Sequence, residues 1–597
     1  QDTPKGKPKN SALIDSIADA RAALLESFWL DDQTLIPSTL REHVEVWLST
    51  EDTEDIASFR STCAELVITI QEGDLTFPER TVLMILANRE DLETLVISSG
   101  YIAEFRAGRE VATFFIELSP QDQTDWLMEL ELNSTVQLNS DVAVLILDHG
   151  VNNGHSLLAP TLADADCHTV DASWGSHDHN GHGTLMAGTV AYGDILKHLD
   201  QGTGATINHR LESAKILPPG NLQNDKKLWG HFTAQGVYRS EVEAPFRKRI
   251  ICMAITSSDA TTGGRPSSWS GKVDELASGY GDDTQRLIII SAGNVDDHNQ
   301  WINFPVAHKT LEVQDPAQAW NALTVGAYTE KHRITDAFYT QTHRPLAEPG
   351  DISPFTSTSF TWSQREWPIK PEVLFEGGNI AYNATNNSAI DTDDLKLVST
   401  SHDPQVSQFH NFEATSIASA LAANMAAEVQ VAYPEAWPET IRALMVHSAE
   451  WTPAQLSNHL DDETKGSYAR LLRVCGYGVP DKNLALSCAS NALSLVAEST
   501  IQPFNRAAGR STTNDIHIYE LPWPTDVLSS LGEQEVKMRV TLSYFVEPSP
   551  GEVGWKGRYR YASHGLRFKL NGPNQTRAEF EGHINNALRS EDYVPTE

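Results

Sequence analysis

Six apolar residues in succession, Val142-Ala143-Val144-Leu145-Ile146-Leu147, run directly into Asp148-His149-Gly150. A strand without polar alternation is buried on both faces, which places it inside a parallel sheet covered by helices on either side. Runs of the same kind recur at 250–255 (IICMAI), 287–290 (LIII) and 322–325. Helical stretches at 183–192, 269–277 and from Ser416 onward lie between and after them. Alternating buried strands and helices predict an α/β, doubly wound, mainly parallel sheet domain over residues 136–500. In such folds ligands bind beyond the carboxyl ends of the strands, where Asp148 lies.

The flanks have other rhythms. Leu13, Ile14, Ile17, Leu24, Leu25 and Phe28 fall at helical spacing and predict a helical arm over 1–35. Residues 36–135 read as strand 42–48, helix 52–66, strand 67–70, strand 80–86, helix 90–97 and strand 101–105. That βαββαβ order is an α+β, ferredoxin-like arrangement. A further strand is expected at 111–118, then a connecting helix opened by Ser119-Pro120-Gln121-Asp122. Beyond residue 501, the alternating stretches 516–521, 536–545 and 566–570 predict a C-terminal antiparallel β-sandwich.

Charge narrows the function. The chain of 597 residues carries a formal charge of −35, which excludes a nucleic-acid binder or a protein of anionic membranes, since both need a basic face. Five cysteines, Cys63, Cys167, Cys252, Cys475 and Cys488, are scattered without a CxxC pair, which fits reduced thiols in a cytoplasm. No apolar run reaches the length of a membrane span, and the first thirty residues lack the apolar core of a signal peptide. The expected location is therefore cytoplasmic.

The candidate chemistry centres on Phe412-Glu413-Ala414-Thr415-Ser416, which opens a helix of small residues, SIASALAANMAAEVQVA. A serine in the first helical turn sits among backbone N–H groups that lack partners, a setting suited to a developing oxyanion. By itself a Thr-Ser pair before a helix is an N-cap. A serine nucleophile needs a base, a group that orients the base, and an oxyanion donor. His182 offers the base, in SHDHNGHGTLMAG, followed by another small-residue helix able to pack closely on the first. Asp148 offers a carboxylate fixed at a strand end, and Asn294, in Ser291-Ala292-Gly293-Asn294, offers an amide at another. A zinc site is the competing use of His177, His179, His182 and Asp178, or of Asp164, Asp166, Cys167 and His168. Without a second matching cluster no metal and no cofactor is assigned.

Taken in chain order, Asp148, His182, Asn294 and Ser416 resemble the subtilisin-like serine peptidases. LDHG at 147–150, GHGTLMAG at 181–188, SAGN at 291–294 and ATSIASA at 414–420 are similar to that family's aspartate, histidine, oxyanion and serine motifs. The resemblance spans about 140–485 and departs from the family at His149, Ala414 and Ala420, which stand where Thr or Ser, Gly and Pro are usual. Ala414 is tolerated if its backbone needs no positive φ, and Ala420 removes only a kink.

The resemblance implies a serine endopeptidase acting on polypeptides, with Ser416 as nucleophile, His182 as base and Asp148 as its orienting acid. It implies an oxyanion hole of Asn294 and the Ser416 N–H. It further implies that Ala254-Ile255-Thr256 line the substrate, with Ala292 and Gly293 across the primary pocket. The N-terminal α+β region looks like the family's pro-domain, here expected to stay attached and restrain the site. An AAA-type ATPase is a regulatory partner known among large non-secreted bacterial relatives. The alternative is a catalytically silent subtilisin fold serving as an interaction scaffold.

Overall fold

The computed structural model describes residues 25–30, 36–37, 41–70, 75–77, 80–108, 111–137, 139–220, 228–258, 263–336, 338–362, 367–487, 494–507, 510–521, 525–534, 536–549, 561–572 and 575–589. The chain divides into two units, 1–110 and 111–597. Most of the expected N-terminal arm lies outside the described residues.

In the smaller unit the elements are β1 (Glu42–Leu48), α1 (Thr53–Glu65), β2 (Thr69–Ile70), β3 (Leu75–Phe77), β4 (Arg80–Ala87), α2 (Arg89–Ser98) and β5 (Ile102–Ala107). The sheet order is β2-β4-β1-β5, with β3 pairing β4. β1 runs antiparallel to both its neighbours. Strand alternation buries Val44, Val46 and Leu48 against Phe59 of α1 and Leu92 and Leu95 of α2. Asp52 caps α1 and Asn88 closes a capping box on α2, which is why each helix starts where it does.

The larger unit opens with α3 (Ala112–Glu117) and α4 (Pro120–Asn133). A helix therefore replaces the strand expected at 111–118. Tertiary packing overrides the β-rich composition: Phe115 is buried, Phe114 and Phe115 both meet Trp126 edge to face, and the Gln123 amide donates to the carbonyls of Phe115 and Ile116 that end the helix.

Next come β6 (Val142–Asp148), β7 (Cys167–Thr169), α5 (His182–Tyr192), β8 (Arg210–Lys215), α6 (Trp229–Glu243), β9 (Lys248–Met253), α7 (Ser268–Ser278), β10 (Leu287–Ser291), β11 (Leu323–Tyr328) and β12 (Val373–Glu376). Then follow β13 (Leu397–Thr400), β14 (Phe409–Phe412), α8 (Ala414–Ala432) and α9 (Pro438–Ser448). Seven strands form one sheet in the order β12-β11-β10-β9-β6-β8-β7. Every pairing in it is parallel. Val142, Val144 and Ile146 of β6 face a core shared with α5 and α8, while Leu145 and Leu147 face one shared with α6 and α7. That is the doubly wound arrangement the unbroken apolar runs predict.

The alanines of α8 let it lie against both the sheet and α5. Ala418, Ala422, Ala423 and Ala426 are fully buried, and Asn424 donates to the Val190 carbonyl of α5 at 2.9 Å. With Ala420 in place of proline, α8 runs uninterrupted for 19 residues.

The expected C-terminal sandwich is not formed by the described residues. After 501 they contain one antiparallel hairpin, Phe504–Ala507 with Arg510–Thr513, and two helices, Thr525–Ser530 and Arg577–Arg589. The alternation at 536–542 misleads because Val536, Met538, Val540 and Leu542 are all exposed, with no second sheet among the described residues to bury one face. What is buried is Phe545, Val546 and Tyr561, and they dock on the sheet domain. The Asn321 side chain pairs with Val546 like a strand residue, donating to its carbonyl and accepting from its N–H, both at 2.8 Å. Arg442 donates to the Tyr544 carbonyl and lies over the Phe545 ring.

Candidate active site

Three strand ends and two helix starts bring the candidate residues together. Asp148 is the last residue of β6, at the point where the chain order reverses between β8 on one side and β9 on the other. His182 is the first residue of α5, and Ser416 lies in the first turn of α8. The join between α5 and β6 depends on Gly183: a Cβ there would stand 2.0 Å from the Gly150 carbonyl oxygen. Glycine is thus required for the imidazole to reach the strand end.

His182 bridges the other two groups. Its Nδ1 lies 2.8 Å from Asp148 Oδ2 and its Nε2 lies 3.0 Å from Ser416 Oγ. Asp148 is buried, so its carboxylate must be satisfied within the protein. Its second oxygen accepts from the His149 backbone N–H at 2.7 Å and faces His149 Nδ1 at 3.0 Å. Burial pushes the Asp148 carboxyl up, yet the charge of His182 and the hydrogen bonds from both imidazoles outweigh it and hold the group well below the usual carboxylate range. For His182, burial favours the neutral ring, but the Asp148 charge and hydrogen bond, helped by Asp178 and Glu413, leave it above its ordinary value. The His182 side chain keeps 27% exposure, so the centre is open to a substrate.

Asn294 follows β10. Its Oδ1 accepts from both the backbone N–H (3.1 Å) and the hydroxyl of Thr415. A backbone N–H can only donate, so the amide oxygen faces α8, and Nδ2 is the end of the amide that Thr415 does not use. Thr415 is therefore committed to Asn294, and Ser416 to His182. Glu413 is the N-cap, without a side-chain capping bond, so neither hydroxyl is an N-cap.

Ala414 corrects an expectation. Its φ is +71°, a left-handed conformation, so the glycine usual at this position is replaced where it would be useful rather than where it is idle.

Asp178 is the residue that sequence reasoning placed in a candidate metal cluster and the structure uses otherwise. Its Oδ1 accepts from the N–H groups of Asn180 (2.9 Å) and Gly181 (2.8 Å). Its Oδ2 accepts from the Thr184 N–H (2.8 Å) and hydroxyl (2.7 Å). Four donors on one carboxylate fix the turn that delivers His182. Asp166, in the other candidate cluster, is paired with Arg247 at 2.7 Å. Among the described residues no three His, Cys, Asp or Glu side chains converge as metal ligands.

The residues expected along the substrate are also placed. Ala254, Ile255 and Thr256 leave the end of β9, and Ala292 and Gly293 leave the end of its parallel neighbour β10. Gln314 joins the two segments: Thr256 Oγ1 donates to Gln314 Oε1 at 2.7 Å, and Gln314 Nε2 donates to the Asn294 carbonyl at 2.9 Å. Nothing in the local sequence around Gln314 signals this role, because its partners lie 58 and 20 residues away.

The sequence model of the subtilase family (peptidase S8) matches residues 139–478, more than half of the chain. The chain belongs to the subtilase family, whose members are serine-type endopeptidases. Among solved structures it is similar to the epidermin leader peptide processing serine protease of Staphylococcus aureus, with 13% identity, 76% of this chain and 100% of that one covered, and a TM-score of 0.37. It is also similar to a lanthipeptide protease (15% identity, 63% and 95% covered, TM-score 0.37) and to a psychrophilic protease (18% identity, 53% and 85% covered, TM-score 0.35). A search of curated proteins finds no match.

Proposed function

We propose that the protein hydrolyses peptide bonds of polypeptide substrates through Asp148, His182 and Ser416, with Asn294 and the Ser416 N–H as the oxyanion hole. The observation that carries this reading is the position of His182, within hydrogen-bond distance of a buried carboxylate on one side and of a first-turn serine hydroxyl on the other. Because Asp148 is an acceptor, Nδ1 carries the proton, which leaves Nε2 unprotonated and able to take the Ser416 proton as Oγ attacks the scissile carbonyl. The resulting imidazolium is stabilised by Asp148 and returns its proton to the leaving amine. The developing oxyanion is met by Asn294 Nδ2, whose orientation Thr415 fixes. Water then repeats the sequence on the acyl-enzyme.

A fluorophosphonate probe tests this directly. Wild type labels at Ser416 and Ser416→Ala does not; a wild-type chain that never labels, with or without a candidate activator, would support the silent scaffold instead.

Three finer readings accompany the activity. The N-terminal unit stays attached and restrains the site; a clean cut between about residues 106 and 140 accompanied by activity, seen by intact mass, would refute permanent attachment. An AAA-type ATPase is the proposed regulatory partner, tested by whether such an ATPase from the same source changes turnover. A cytoplasmic location is supported by the unpaired thiols of Cys63, Cys167, Cys252 and Cys475.

A further inference from the structure

We infer that Gln314 closes the primary specificity pocket, so that the residue before the scissile bond must be small: glycine, alanine or serine. This rests on the peptidase reading above. A substrate carbonyl placed between Ser416 Oγ and Asn294 puts the preceding side chain between the segments 254–256 and 292–294. That gap is bridged. Thr256 Oγ1, Gln314 Oε1, Gln314 Nε2 and the Asn294 carbonyl form a continuous hydrogen-bonded link from one wall to the other.

The plug has little freedom to swing aside. Its backbone is pinned, with Gln314 N–H donating to the Ala292 carbonyl (2.9 Å), Val313 N–H to the Thr358 carbonyl (2.9 Å) and Ala317 N–H to the Gln314 carbonyl (2.8 Å). Both ends of the side-chain amide are satisfied, so displacing it breaks two hydrogen bonds. The stem fills the space beside the wall: a Cβ built on Gly293 would lie 2.5 Å from both Cγ and Cδ of Gln314. Gly293, with φ +100°, is thus in van der Waals contact with the plug.

The floor is also polar. A large apolar side chain entering here would have to displace the amide and leave its donor and acceptor unpaired, a double penalty. The link holds only a hydroxyl, a neutral amide and a backbone carbonyl, so it offers a charged side chain no counterion, and the neighbouring Asp315 directs its Oδ1 to Ser267 and Gln318. Small side chains need neither space nor a partner.

The test uses the full chain and peptides identical except for the residue before the cut. A single misplaced methylene changes kcat/KM by about 10–200-fold, so alanine or serine should exceed leucine or phenylalanine by at least about 100-fold. Gln314→Gly should narrow that ratio at least about tenfold, by raising kcat/KM for the large residues. Wild type that cuts as well after phenylalanine or leucine as after alanine overturns the inference, and so does an unchanged ratio in Gln314→Gly. A small fluorophosphonate has no side chain for the pocket. Loss of its reaction in wild type refutes the peptidase reading, whereas labelling with large-residue preference refutes only the plug. If Gln314→Gly does not fold, Thr256→Val, which removes one anchor of the amide, must relax the ratio in the same direction; an unchanged ratio there also overturns the inference.

Discussion

His149 Nδ1 lies 3.0 Å from Asp148 Oδ1, while His182 Nδ1 lies 2.8 Å from Oδ2, so one buried carboxylate serves two imidazoles. His149 stands where a short hydroxyl residue is usual in the family, and it draws negative charge away from the oxygen facing His182. The His182 ring holds its proton above its ordinary value, and the protonated ring cannot accept from Ser416. Activity is therefore expected to fall as pH drops, with a midpoint above about 6.5. The linked stability has the opposite sense: a raised histidine pKa stabilises the fold below about 6.5, and that contribution is lost as pH rises through the folded-state value. His149→Ala removes a donor to Asp148 Oδ1, which leaves the carboxylate more basic toward His182 and raises the His182 value further. The acid limb of kcat/KM should move to higher pH, and kcat/KM on the plateau should fall about fivefold, since the His149 backbone N–H still holds Oδ1. A limb moving to lower pH would refute the arrangement.

The hold of Thr415 on Asn294 separates two effects on turnover. Asn294→Ala should lower kcat by about 10²–10³, the range established for the equivalent donor in subtilisin, with KM little changed. Thr415→Val keeps the backbone N–H bond to Oδ1 but loses the hydroxyl. It should cost about tenfold in kcat, and in the Asn294→Ala background almost nothing more, because the two act on one group. Additive losses in that double-mutant cycle would show that Thr415 acts elsewhere.

The parts of this site that can be read from the chain are those whose geometry is enforced by neighbours in sequence. Asp148 ends an unbroken apolar strand, and His182 is followed by the Gly183 that lets its helix touch that strand. Ser416 opens a helix too small to lie anywhere but against another backbone. What escapes reading depends on partners far along the chain. Asp178 looks like one of several metal ligands until four donors are found on it, and Gln314 has no signature at all. Periodicity fails at both flanks for one reason: α3 and the segment 536–545 carry strand-like patterns, yet among the described residues neither is offered a sheet to join. In α3 the aromatic contacts with Trp126 and the carbonyls taken by Gln123 favour a helix. In the C-terminal segment the side chains at 545, 546 and 561 find the sheet domain instead.

Ala414 holds a left-handed φ two residues before Ser416, at a cost of about 1–2 kcal/mol for a side chain with a Cβ. Glycine would relieve that strain but forfeit a methyl buried near Trp301, Phe355 and Ile380, worth about 0.8 kcal/mol, and would make the unfolded chain freer. Ala414→Gly should thus change stability by less than about 1 kcal/mol. Ala414→Val, branched at Cβ in a conformation it scarcely tolerates, should destabilise by more than about 2 kcal/mol. Urea unfolding of both variants checks the pair, and a Val variant as stable as the Gly one would contradict the strain at this position.

The C-terminal segment closes over a buried acid. Tyr561 donates its hydroxyl to Asp274, whose carboxylate also accepts from the N–H groups of Trp320 and Asn321. Burial outweighs those donors and pushes Asp274 up to about 6. The folded chain therefore holds a proton that the unfolded chain has already released, so the stability attached to Asp274 declines as pH rises from about 4 through 6. Above that range the group is ionised and buried, and it then depends most on its donors. Tyr561→Phe should cost about 1.5–3 kcal/mol at pH 8, where the bond lost is to a charge, and about 1 kcal/mol at pH 5, where it is to a neutral acid. Thermal unfolding at the two pH values measures the difference; an equal loss at both would mean that Asp274 is already ionised at pH 5.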